Sequence, residues 1–165
     1  FLENFRRIAF IRLCVGDFVP VHADPVYWNP NESPVNIARH MIVSIAGVPM
    51  ISMDLPKCSE SELGIIRKWI EFYNEHKVTF MTGHWDISYH QGGISYMSVT
   101  TKNERIVIIN DPLRITEALE GAPSKAYILN LSNSEIDLYG AKTFGPEFDS
   151  AKDGVIPCGG CGIIL

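Results

Sequence analysis

The sequence predicts an α+β chain, helix-rich to about residue 80 and β-rich from 81 to 165. Three observations predict it. Apolar residues recur at helical spacing in Leu2, Phe5, Ile8, Ala9 and Leu13, and again in Leu63, Ile66, Trp69, Ile70 and Tyr73. After Lys77 the pattern changes to short β-type runs, "ISYMSVT", "RIVIIN", "KAYILNL", "EIDLYG" and "CGIIL", separated by the turn-forming junctions "HQGG", "TKNE", "NDP", "EGAP" and "SNSE". Apolar residues make up 46% of the 165, enough for a sizeable core.

The first helix runs from Leu2 to Val15. Arg6, Arg7 and Arg12 lie largely off its apolar stripe, and Gly16 is its stop. A short strand, Phe18 to Val21, follows. Ser33 is the N-cap of a second helix, with Pro34 in its first turn, and that helix runs to about Ala46. "ISMDLPKC" reads as extended. Ser59 and Glu62 form a capping box for the third helix, and His76 and Lys77 sit in its last turn, where the helix dipole favours positive charge. The later runs, each bounded by turns, predict an antiparallel sheet or sandwich.

The net charge is −5, and no basic cluster could track a phosphate backbone, so nucleic acid is not an expected partner. No apolar run approaches the ~20 residues needed to cross a bilayer, so a membrane is not expected either. The first residue is Phe1, inside a helix and without a leader pattern, which sets the expectation that this is the C-terminal portion of a longer protein. Of four cysteines, Cys158 and Cys161 form C-G-G-C, a Gly-rich turn into the last strand without the further ligands of a zinc site. The sequence does not choose a compartment.

The stretch "FVPVHADPVYWNP" carries the chemistry. A strand ending in polar and aromatic residues between two helices is the βα pattern of a (β/α)8 barrel, whose strand C-termini carry the site. That places His22, Asp24 and Trp28 at the mouth of a site. Asp24 before Pro25 is also ordinary turn chemistry, and the two readings stay open at this level.

The succession "VHADPVYWNPNESPVNIARHMIVSIAGVPMISMDLPKCSESELGIIRKWIEFYNEHK" resembles the C-terminal end of the melibiase-type α-galactosidases of glycoside hydrolase family 36. The resemblance covers the first half of the chain. It implies the last strand and helices of a TIM barrel in residues 1–80 and a C-terminal antiparallel β-sandwich in residues 81–165. It also implies a retaining mechanism with two carboxylates roughly 5 Å apart, both on sequence preceding this chain, so that no catalytic residue is expected here. His22, Asp24 and Trp28 would bind or frame a galactoside or oligosaccharide, with Tyr27 as an alternative aromatic face. Where better-known members carry a valine-serine-rich loop and an arginine, this chain has Ala23-Asp24-Pro25 and Ser33-Pro34.

Other residues have simpler readings. Asp54 and Asp111 are turn residues, and Trp69 and Tyr73 are core. His84, Asp86 and His90 alternate along a strand and fit no zinc spacing, so neither metal nor cofactor is expected. Trp85, Tyr89 and Tyr96 could serve a carbohydrate-binding β module, or the β half could simply brace the barrel. Asn130-Leu131-Ser132 is formally a glycosylation sequon. A barrel strand and outer helices without their neighbours would leave edges and apolar faces open, which predicts self-association.

Overall fold

The structure, a computed structural model, describes residues 1–165. The helices fall where their periodicity places them. Helix α1 spans Leu2–Val15 and buries Phe5, Ile8, Ala9 and Arg12. Helix α2 spans Pro34–Ile45, with the Ser33 side chain accepting from the Asn36 N–H. Helix α3 spans Glu60–Glu75 and carries the complete Ser59/Glu62 capping box. Its buried face is Ile65, Ile66, Trp69, Phe72 and Tyr73. That face is rotated from the expected one, and Leu63 and Ile70 lie at its margin. Burying a side chain such as Ile65 contributes roughly 1.5–3 kcal/mol.

His76 differs from expectation. It ends α3 and begins α4, Lys77–Thr82, in the interior and not in an exposed last turn. The first segment expected as a strand is also displaced. Phe18 to Val21 is irregular, and the extended stretch begins at Val21, bridging His22 to Val48 and Val26 to Ile51 in parallel. "ISMDLPKC" is extended only at its start, then turns into a 3-10 turn at Leu55–Lys57.

The second half forms β1 His84–His90, β2 Gly93–Thr100, β3 Glu104–Ile109, helix α5 Ile115–Leu119, β4 Lys125–Asn130, β5 Ile136–Asp137, β6 Lys142–Phe144, β7 Val155–Ile156 and β8 Cys161–Ile164. Six strands make one sheet in the order β1-β2-β3-β4-β8-β6, while β5 and β7 form a separate ribbon. The sheet is mixed, not wholly antiparallel, because β3 and β4 run parallel. Parallel neighbours need a crossover, here the α5 segment that the sequence reading took for turns. The second layer is correspondingly α5 and a two-strand ribbon, not a second full sheet.

Alternation sorts the sheet's side chains onto two faces. Met97, Ile108, Leu129 and Cys161 line up across four strands, as do Val99, Ile106, Tyr127 and Ile163. This face shares one hydrophobic cluster with α1, α2, α3 and α4. Tyr96, Val107, Ile109, Ala126 and Ile128 face the other way and pack with Ala118, Ile136 and Ile156. In the first half, Val21–Val26 and Val48–Ser52 are joined through α2 as one parallel pair, held by bonds such as Val48 N–H to Val21 O at 2.7 Å and Ala23 N–H to Val48 O at 3.0 Å. No barrel closes around it. No helix is long and apolar enough to cross a membrane.

Candidate functional site

The turn after α2 sets the site's geometry. A side chain at Gly47 would place its Cβ 2.6 Å from Val21 O and 3.0 Å from Ala23 N, so only glycine lets the chain pass this close to the extended segment. The tight passage seats Val48 beside Val21 and leaves Asp24 to Tyr27 emerging beside α1. There an open cleft of about 660 Å³ forms. Helix α1 contributes Phe1, Asn4 and Arg7, the extended segment Asp24 to Tyr27, helix α2 His40, and the second extended segment Ser52.

Asp24 is half-buried and paired with Arg7, Oδ2 to Nη1 at 2.5 Å. Both remain partly exposed, so the pair contributes at most about 1 kcal/mol to stability, and its donors and acceptors stay reachable. His22 is exposed on the same segment but does not line the cleft. Trp28 is buried at 6% exposure. Its indole N–H donates to Glu62 Oε1 at 2.8 Å, and its ring lies 6.1 Å from that of His40. The exposed aromatic at the cleft is therefore Tyr27, at 72%. Of the three residues singled out in the sequence, the structure brings Asp24 to the cleft, sets Trp28 behind it and leaves His22 outside.

Sequence reasoning missed His40, Asn4 and Ser52. His40 looks like a polar residue on an amphipathic helix, and only the fold shows it facing a cleft. Burial lowers its pKa from the usual 6.5 to about 4, against the opposing charge of Glu32. Its ring is therefore uncharged at neutral pH. In the sequence, Arg7 stands out only for lying off the apolar stripe of α1.

The cleft thus assembles one carboxylate, one guanidinium, an amide, a hydroxyl, an imidazole and an aromatic face. These bind hydroxyl groups well. A retaining glycosidase needs two carboxyl groups roughly 5 Å apart, and Asp24 is the only carboxylate lining this cleft.

The other polar clusters serve packing. Glu104 is bonded to His76 Nδ1 at 3.0 Å and accepts from Thr79 Oγ1, tying β3 to the α3–α4 junction. Asp17 Oδ2 lies 2.6 Å from His84 Nδ1, and Oδ1 accepts from the Trp85 N–H. Burial pushes the Asp17 pKa up, but the Trp85 N–H, the His84 bond and the charges of His84 and Arg12 outweigh it and hold the carboxyl below its ordinary value. His90 lies against Arg114, so β1's two histidines turn to separate partners. Asp54 precedes the 3-10 turn and pairs with Lys57, and Asp111 accepts from the Leu113 N–H. Of the three aromatics considered for a carbohydrate-binding β module, Trp85 and Tyr96 are buried at 8% and 6%, whereas Tyr89 is 51% exposed. Cys158 and Cys161 are free thiols, and burial raises the pKa of Cys161. Comparison with protein-family models, with curated proteins and with solved structures finds no match to this chain.

Proposed function

We propose that this chain is the C-terminal part of a retaining α-galactosidase-like glycoside hydrolase, and that its cleft is the rim of a galactoside site. The nucleophile and acid/base belong to preceding sequence. The observation that carries the reading is the polar cleft beside a parallel extended pair, where Arg7 and Asp24 face an exposed Tyr27. Two features support it. The pair is joined through a helix and flanked by others, the arrangement of a βα-barrel segment. Asp24 accepts from sugar hydroxyls, Arg7 donates to them, and Tyr27 offers an apolar ring face. Trp28, bonded to Glu62, packs its ring toward the cleft residue His40, and His22 lies outside the cleft lining.

For the β half, the burial of Trp85 and Tyr96, which leaves Tyr89 as the one exposed aromatic of the three, favours a bracing role over carbohydrate binding. Its sheet shares a core with the helices, as a brace must.

The test is hydrolysis of a nitrophenyl glycoside panel by this chain and by a polypeptide extended to include the preceding barrel. The panel covers α-galactoside, α-N-acetylgalactosaminide, α-glucoside and β-galactoside. Turnover of the α-galactoside by the long form alone is expected. Inactivity of both forms would sink the hydrolase reading, and turnover by the short form alone would sink the assignment of both reacting groups to preceding sequence.

A further inference from the structure

His40 is the one cleft residue whose two polar atoms have opposite surroundings. Nδ1 is sealed from solvent and has no hydrogen-bond partner, whereas Nε2 is neither sealed nor bonded within the protein. The ring is held in place by an edge-on contact to Phe1 at 5.8 Å and a tilted contact to Trp28 at 6.1 Å. An uncharged imidazole has one N–H and one lone pair. Buried donors without partners are rarer than under-satisfied acceptors, so the sealed Nδ1 is the lone-pair side and Nε2 carries the hydrogen.

We propose that His40 presents its Nε2–H to the cleft as a ligand-contacting donor and is a specificity-determining residue for an uncharged polyhydroxy ligand. The inference rests on reading the cleft as a sugar site. Arg7 is already engaged with Asp24, and Arg39, on the same helix, is turned to the Ser132 carbonyl and Asn36, so neither supplies an unpaired cation for an anionic ligand. A ligand oxygen that accepts from His40 can have a neighbouring hydroxyl that donates to Asp24, the pattern of a polyol.

The experiment is an NMR titration of the full chain with methyl α-galactoside, comparing wild type with His40→Gln and His40→Leu. Wild type is expected to bind. His40→Gln, which keeps an N–H donor, should stay within about threefold, and His40→Leu should weaken binding at least tenfold. Because leucine at this site could disturb folding, a long-range proton–nitrogen spectrum of the wild-type ring provides a second reading. It should show the hydrogen on Nε2 and a shift of that nitrogen on saturation. No binding by wild type overturns the sugar-site reading and the His40 role with it. Binding that His40→Leu leaves unchanged, or a ring with its hydrogen on Nδ1, overturns the His40 role alone and leaves the sugar site standing.

Discussion

Asn130 shows how a single buried side chain can do what a local motif misdescribes. Its amide N–H₂ group donates to the carbonyls of Ser134, Ile156 and Pro157, and its Oδ1 accepts from the Ser132 N–H and hydroxyl. The residue is fully buried. Replacing it with alanine strands several of these groups, each at about 1–3 kcal/mol, so Asn130→Ala should lower stability by roughly 3 kcal/mol or more in urea unfolding. The sequon is thus a structural hub. Expressed through a glycosylating secretory route, chains with native melting should carry no glycan at Asn130, which intact-mass measurement can check. His40 supports a pH prediction. Its folded pKa of about 4 lies below the ordinary 6.5, so the unfolded chain binds the proton first as pH falls. Its contribution to stability is whole above pH 6.5 and is lost progressively down to about 4. The loss is on the order of 1 kcal/mol after allowance for partial exposure. The difference in melting between wild type and His40→Gln should follow that window and be flat above it. Neither role was legible in sequence, because both depend on partners that the fold brings in from distant segments.

At the scale of elements, local signals were legible and long-range ones were not. The capping box was readable from Ser59 and Glu62 alone, and the structure forms it. What sequence could not show is that Glu62 also accepts from Trp28, 34 positions earlier, so one carboxylate caps α3 and anchors the cleft's back wall. Glu62→Ala should therefore cost about 2 kcal/mol, more than a simple cap worth about 1 kcal/mol. A double-mutant cycle with Trp28→Phe should return a coupling well above zero. Gly47→Ala is expected to destabilise the chain and weaken the parallel pair, read as faster amide exchange at Ala23 and Val48. The missed elements have a common cause. Helix α5 has only five residues, β6 three and β7 two, too short for any period to declare itself. The parallel β3–β4 step followed from that omission. The rotated face of α3 arose because Ile65 and Phe72 extend its stripe on the side that meets the sheet.

The molecule as a whole carries an uneven surface. Along α1 and the loop after it, Phe10, Leu13 and Phe18 are 66%, 58% and 71% exposed. Between Phe10 and Phe18, Arg12 is buried and Asp17 is tied to β1, so the two charged residues of that segment are drawn away from it, while Glu3, Arg6 and Arg7 stay exposed nearer the start of α1. An exposed apolar face of this kind is an association surface. Sedimentation of the chain should show a concentration-dependent shift to larger species, which Phe10→Glu combined with Leu13→Glu should abolish. The division into helix-rich and β-rich halves was visible in sequence, whereas the cluster joining them was not, since periodicity reveals a buried face but not what covers it. The position of β8 matters in time as well as in space. It lies between β4 and β6, so Cys161 to Ile163 are paired on both sides. During synthesis the ribosome must release residue 164 before β6 has any strand beside it, so the sheet's far edge closes last. A nascent chain stalled before residue 161 would hold β1 to β4 with the outer side of β4 unpaired, an edge that a chaperone could bind.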